Sequence, residues 1–325
     1  MDFPEKNVFE VGESDFARQA MAVFQFQYLH NPVYQLYIDT LGVDPRSVGQ
    51  LAQIPFLPIG LFKTHRVMTT GFEPEASFES SGTSQGGTSR HFVKSLGLYR
   101  KSFTLGFERT YGPVAGCCII GLLPSYLERS NSSLVMMADE LIGMTGHPDS
   151  GFYLYEHEKL FETLNRLEAR SQKTLLIGVS FALLDFAEKY KMELEHTTVM
   201  ETGGMKGRRK EMIRAELHEL LKARLGLPAI HAEYGMTELL SQAWSTGEGL
   251  FRPVPWMKAM VRNEDDPFDL REEGAGILNI IDLANIYSCS FLATEDVGTV
   301  MANGNFEVSG RVDNSDIRGC SLLVI

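Results

Sequence analysis

The chain has 325 residues, 44% of them hydrophobic and 22% charged, a globular composition that excludes collagenous, disordered and disulfide-scaffold proteins. Its formal net charge of −12, from 42 acidic and 30 basic residues, repels a phosphate backbone and argues against nucleic-acid binding. The length suffices for one large α/β domain or two smaller ones, each able to bury a core.

The first ten residues, MDFPEKNVFE, have neither the basic start nor the apolar stretch of a secretory signal. The longest apolar segment, Thr174–Ala187, is broken by Ser180 and Asp185 and falls short of the ~18 apolar residues that span a bilayer. Cys117, Cys118, Cys289 and Cys320 show no zinc-ligand or redox spacing. Reduced thiols in a cytoplasmic protein without a membrane span are therefore expected. About 55 residues at the start read as mainly helical. Ser14 is placed to cap a helix whose apolar residues Phe16, Ala20, Phe24 and Tyr28 recur every four positions, with a stop near Pro32. The Pro-rich segment Ile54–Gly60 leads to a Ser/Thr/Gly-rich stretch at 77–91. Gly116–Leu123 reads as a buried strand holding Cys117 and Cys118 in the core, Glu156–Arg170 as a helix, and Thr174–Val179 as a strand with a helix from about Phe181. His196–Glu201 reads as a strand ending in Thr202-Gly203-Gly204, Arg208–Leu225 as an amphipathic helix, and Pro228–Tyr234 as a strand. The basic run Lys206–Lys210 beside that helix reads as a solvated face. Beyond 255, short strands alternate with turns at Asn263–Pro267, Glu273–Gly276 and Asn303–Asn305. The expected fold class is α/β, layered parallel strands and helices, with a β-rich subdomain from about 250 to 325 inside one domain spanning 1–325.

Three stretches carry chemistry. Ser80-Ser-Gly-Thr-Ser-Gln-Gly-Gly-Thr-Ser-Arg90 concentrates hydroxyls and glycines, whose backbone amides can approach and bind phosphate oxygens, though it is no Walker A loop. His231-Ala-Glu-Tyr-Gly-Met-Thr-Glu238 follows an apolar strand, and a Thr–Glu pair there can offer a hydroxyl to phosphate and a carboxylate to Mg²⁺. Thr294-Glu-Asp-Val-Gly298 and Gly310-Arg-Val-Asp313 supply an aspartate suited to a ribose diol and an arginine suited to phosphate or ribose oxygens. Taken singly, these are equally a surface loop, a turn opening a helix and two strand–turn segments.

In this order the stretches resemble the adenylate-forming superfamily, and within it the LuxE-type acyl-protein synthetases. Ile54-Pro-Phe-Leu-Pro-Ile59, Phe62-Lys-Thr-His65, Glu201-Thr-Gly-Gly204 with Lys206-Gly-Arg208, and Gly310-Arg311 with Gly319-Cys320 carry the finer likeness. The resemblance implies a fold like the superfamily's N-terminal domain and an ATP- and Mg²⁺-dependent activation of a fatty acid, with a reductase protein as the acyl acceptor. It implies that Ser81, Gly82, Thr83, Ser84 and Gly86 cradle phosphates, that Gly203 and Gly204 flank adenine, and that Tyr234, before Gly235, stacks on it. Thr237 touches the α-phosphate, Glu238 holds Mg²⁺, Asp296 binds the ribose hydroxyls and Arg311 reaches the ribose or a phosphate.

Arg90 stands where relatives have lysine, and Cys289–Asp296 lacks their Arg-Tyr-x-x-Gly-Asp form. The chain stops twelve residues after Asp313, so the mobile C-terminal domain of standard CoA ligases is expected to be absent, and Cys320 becomes the candidate acyl carrier, with Arg318 beside it. Three other readings compete: a phenylacetate-CoA-ligase-like enzyme, a serine acyltransferase or hydrolase using Ser180 in Gly178-Val-Ser180-Phe-Ala182, and a nucleotide-binding module without catalysis. His65, His91 and His231 read as structural histidines, His231 with a place near the nucleotide.

Overall fold

Phe16, Ala20, Val23, Phe24 and Gln27 form one buried stripe at helical spacing, and they make Phe16–His30 (α1) the first long element. The computed structural model describes residues 5–80, 87–124, 131–203 and 212–312. The remaining helices are α2 (Pro32–Thr40), α3 (Leu96–Tyr111), α4 (Ser133–Thr145), α5 (His157–Glu168), α6 (Ser180–Lys189) and α7 (Arg214–Leu225). The strands are β1 (Leu57–Pro58), β2 (Ala76–Glu79), β3 (Arg90–Val93), β4 (Cys118–Leu122), β5 (Gly151–Phe152), β6 (Thr174–Val179), β7 (Thr197–Thr202), β8 (His231–Tyr234), β9 (Ala243–Ser245), β10 (Leu250–Pro253), β11 (Met257–Arg262), β12 (Leu270–Arg271), β13 (Gly274–Asp282), β14 (Phe291–Val300) and β15 (Phe306–Arg311). Among the described residues no helix is long and apolar enough to cross a membrane.

The chain divides into two compact units, one holding the described residues up to Gly106, Gly235–Ala243 and those from Arg252 onward, the other holding Phe107–Tyr234 and Trp244–Phe251. In the first unit β12, β11, β13, β14 and β15 form an antiparallel sheet in that order, with β1 parallel to β14. The start of the chain is tied to this sheet's loops by polar as well as apolar contacts. Buried Gln27 donates to the carbonyls of Asn285 (2.9 Å) and Ile286 (2.8 Å) and accepts from the Ser290 amide. Asn31 donates to the Ser288 carbonyl while its oxygen caps α2 at Val33 and Tyr34. The N-terminal helices and the late strands thus share one core, in which Phe24, Tyr34 and Phe56 ring Phe291.

One local expectation needs correction. Ser14 does not cap α1: Asp15 occupies the cap position and makes no side-chain bond there. The first helix does stop near Pro32, at His30, and Pro32 then opens a second one, because a proline at the first helical position loses only an amide that has no partner anyway.

The second unit carries a parallel sheet in the order β5, β4, β6, β7, β8. Strands β4 and β6 are buried at every position, as expected for strands covered on both faces. Leu160, Leu164 and Leu167 of α5, Leu183 of α6 and Leu217, Leu221 and Leu225 of α7 join them in one apolar cluster. A Cβ on Gly178 would come within 2.6 Å of Leu183, so only glycine lets β6 turn this closely into α6. The chain leaves β4 for β5 on one side and returns to β6 on the other. In parallel sheets such a reversal opens a crevice beyond the strands' carboxyl ends, where ligands bind.

Candidate functional site

Side chains with chemical capacity gather at strand ends in both units. In the second unit, Ser180 begins α6 directly after β6, and its hydroxyl donates to Glu201 Oε1 at 2.7 Å. The other Glu201 oxygen lies 3.5 Å from Arg214 Nε and 3.7 Å from His218 Nε2. Burial, the largest effect, pushes the Glu201 carboxyl up, but His218, Arg214 and the Ser180 hydroxyl together bring it below its ordinary value. A serine hydrolase needs its nucleophile bonded to a histidine base, and here a carboxylate holds the hydroxyl instead. Ser180 is also not among the residues with strained positive φ, unlike the serine of a nucleophile elbow.

Gly203, with φ +72°, ends β7 in the left-handed region, and its carbonyl lies 3.3 Å from the Ser180 hydroxyl. On the neighbouring strand, buried Glu233 accepts from the Thr202 hydroxyl at 2.7 Å, and burial pushes its carboxyl up to about 7. Tyr234 is buried against Phe251, ring centroids 5.7 Å apart. His231 Nδ1 lies 3.2 Å from the Tyr111 hydroxyl, and burial lowers its pKa.

In the first unit, the segment from Gly235 to Ser241 makes no ladder of its own and is held by side chains. Asp282 accepts from the amides of Leu240 (2.8 Å) and Ser241 (3.0 Å) and from the Ser241 hydroxyl (2.6 Å). Burial nonetheless raises Asp282 to about 6. Asn285 Nδ2 donates to the Glu238 carbonyl at 2.7 Å and the Cys289 carbonyl at 2.9 Å. His91, on β3, sets Nδ1 2.8 Å from the Thr237 carbonyl and Nε2 2.9 Å from Asn285 Oδ1. Its ring thus faces two oxygens, which favour its charged form, while burial pulls its pKa down and prevails. Glu238 is fully buried and Thr237 half-buried.

The described residues on either side of the Ser/Thr/Gly stretch form a hairpin, which the sequence did not disclose. Strands β2 and β3 pair Glu79 with Arg90 and Phe78 with His91. Ser80 and Ser89 close its neck, the Ser80 amide donating to the Ser89 carbonyl and the Ser89 amide to the Ser80 hydroxyl. Arg90 is exposed and lies 3.3 Å from Glu79 across the hairpin. Ser81, Gly82, Thr83, Ser84, Gly86, Gly204, Lys206–Lys210, Asp313, Arg318 and Cys320 lie outside the described residues.

Asp296 sits within β14, not in a turn, beside a register shift at Val297/Gly298 and opposite Arg311 on β15. The alternating burial of β14 explains why a stretch with turn-like composition runs straight. Asp296 Oδ1 lies 3.1 Å from Arg311 Nε, and Arg311 Nη2 donates to Glu295 at 3.0 Å. Both carboxylates therefore fix the guanidinium. Arg262 was not singled out from the sequence, yet it bridges β11 to the Leu278 and Thr294 carbonyls and to Asn279. The donor set fits magnesium arriving on nucleotide phosphates, because such an ion needs only one or two protein carboxylates and Glu238 adjoins a hydroxyl-bearing Thr237. Among the described residues no group of three or more His, Cys, Asp or Glu forms an all-protein metal cage.

Residues 9–325 match the family model of acyl-protein synthetase, LuxE. A long-chain-fatty-acid–luciferin-component ligase of Vibrio harveyi is 24% identical over an alignment of 341 positions that covers 94% of this chain and 86% of that protein. Among solved structures, 2-hydroxyisobutyryl-CoA ligase with 2-HIB-AMP and CoA superposes with a TM-score of 0.65 at 11% identity, covering 97% of this chain and 82% of its own. O-succinylbenzoate coenzyme A synthetase of Bacillus subtilis, solved with ATP and a magnesium ion, gives 0.52 at 17% identity over 72% of this chain, which spans only 49% of that enzyme. These likenesses establish the fold of the adenylate-forming N-terminal domain.

Proposed function

The chain belongs to the LuxE acyl-protein synthetase family, a family of ligases, and from that premise we propose that it activates a fatty acid with ATP as an acyl-adenylate and passes the acyl group to a protein cysteine. The observation that carries this reading is the segment after β8, in which His91 and Asn285 hold the Thr237 and Glu238 carbonyls and Asp282 holds the following Leu240 and Ser241 amides, rather than a sheet ladder. Segments fixed in this way at strand ends serve to present side chains to a ligand.

In this reading Ser81, Gly82, Thr83, Ser84 and Gly86 bind phosphates, Gly203, Gly204 and Tyr234 border adenine, and Asp296 takes the ribose hydroxyls. Arg311 holds the Asp296 carboxylate in place. Thr237 meets the α-phosphate, and Glu238 holds magnesium, which when bound offsets phosphate charge. The fatty-acid carboxylate attacks the α-phosphorus, the α–β phosphoanhydride bond breaks and pyrophosphate leaves. Two anions must approach each other, so orientation and charge neutralisation are what the protein supplies. The Cys320 thiolate then attacks the acyl carbonyl and AMP leaves, forming a thioester. A reductase protein is the onward acceptor and the cytoplasm the location.

ATP–pyrophosphate exchange with Mg²⁺, across straight-chain fatty acids and aromatic acids, tests the first step. Exchange confined to fatty acids and reduced at least 100-fold by Glu238→Ala or Asp296→Ala is the expected result. Exchange with aromatic acids alone, or none despite ATP binding, refutes it. For the transfer step, Cys320→Ser retains exchange and loses hydroxylamine-labile acylation of the chain. Persistent labelling of that variant refutes the thioester.

A further inference from the structure

Between them, His91 and Asn285 hold the carbonyls of two consecutive residues, Thr237 and Glu238. Those carbonyls belong to the two peptide planes that flank the Glu238 α-carbon. Peptide groups are rigid, so fixing both planes fixes φ and ψ of Glu238 and with them the direction of its Cα–Cβ bond. The link starts in the hairpin, because His91 is the residue after Arg90 and pairs with Phe78 across β2 and β3. It is fully buried, with the Phe62 ring edge-on at 5.9 Å, so the imidazole cannot swing away without opening a cavity. Asn285 is anchored in turn by the Cys289 carbonyl at 2.9 Å and by Gln27, which donates to the Asn285 carbonyl.

We propose that His91 is a positioning residue that, with Asn285, aims the Glu238 carboxylate at the nucleotide-bound metal and couples that aim to the hairpin of β2 and β3. This rests on the adenylation reading above and adds to it a residue that touches neither substrate nor metal. Its distinguishing consequence is selectivity. Misdirecting Glu238 weakens binding of Mg·ATP but leaves metal-free ATP, held by ribose and adenine contacts, almost unchanged.

The experiment measures ATP affinity by calorimetry with Mg²⁺ and with EDTA, for wild type, His91→Ala and His91→Asn, alongside pyrophosphate exchange. Asparagine keeps a donor near the Nδ1 position and retains the Thr237 bond. Expected is a loss of at least tenfold in Mg·ATP affinity for His91→Ala, less than threefold with EDTA, partial recovery in His91→Asn, and an unchanged KM for the acid. Should His91→Ala fail to fold, the same ratio is read from His91→Asn against Asn285→Asp, which removes the donor to Glu238. Magnesium-dependent binding in wild type that survives these substitutions, or that falls equally with EDTA, overturns this inference alone. Absence of any magnesium-dependent ATP binding or exchange in wild type overturns the adenylation reading and this inference with it.

Discussion

Replacing Glu233 by glutamine removes a carboxyl whose proton the folded protein holds unusually tightly. Burial is the dominant cause, with the Thr202 hydroxyl opposing it and the nearby Glu201 charge adding to it. The native pKa of about 7 stands above the ordinary 4.5, so the stabilising contribution is fully present below pH 4.5 and is lost as pH rises through 7. At about 1.4 kcal/mol per tenfold change in proton affinity, the interval is worth roughly 3 kcal/mol, nearly all of it lost between about pH 4 and pH 7.5. Glutamine keeps an oxygen for the Thr202 hydroxyl and never ionises. Glu233→Gln should therefore match wild type near pH 4 and exceed it by about 3 kcal/mol at pH 8. Urea unfolding at intervals of one pH unit, followed by tryptophan fluorescence, reads the difference, and titrating groups other than the coupled Glu201 cancel between the two proteins. Curves for the two proteins that run parallel from pH 4 to 8 would refute the assignment.

Gly298→Ala should destabilise the first unit by about 2–3 kcal/mol or more, because its Cβ would meet the Glu307 carbonyl oxygen at 2.1 Å and β15 would have to move. A urea midpoint equal to wild type would contradict that packing. Cys117, Cys118 and Cys289 are buried, and burial raises their thiols, Cys118 to about 11 and Cys289 to about 12. At pH 8 these three should react with a disulfide reagent only after denaturation, so two or more fast thiols in the native protein would be inconsistent with the core described.

What was legible in the sequence followed from periodicity and from chemistry concentrated at strand ends. Phe16, Ala20 and Phe24 announced α1, and the unbroken apolar runs of β4 and β6 announced a covered parallel sheet. The stop of α1 before Pro32 was legible, but the start of α2 at that same proline was not, because proline breaks a helix interior yet suits its first turn. The hairpin of β2 and β3 went unseen, since each strand has only four residues and little alternation. Helix α3 was hidden by its two glycines. Glu238 could be nominated from its motif, but the groups that hold it could not. His91 and Asn285 lie 194 residues apart, and Ser241 and Asp282 lie 41 apart, so only the fold joins them. His91 was rightly read as a satisfied histidine, without any sign of what it satisfies.

The bond from Gln27 to Ser290 spans 263 positions of the chain. At ordinary translation rates of about 5–20 residues per second, the ribosome needs roughly 13–50 s to synthesise the partner after the helix has emerged. During that interval Phe16, Val23 and Phe24 have nothing of their own unit's late strands to cover them, whereas the β4–β8 sheet has all its strands much sooner. The nascent chain thus carries a sticky N-terminal helix through most of its synthesis, and chaperone capture at that helix is the natural remedy. Slowing translation before residue 290 should lower soluble yield, and substitutions that make the stripe less apolar should recover part of that yield at the expense of the finished core.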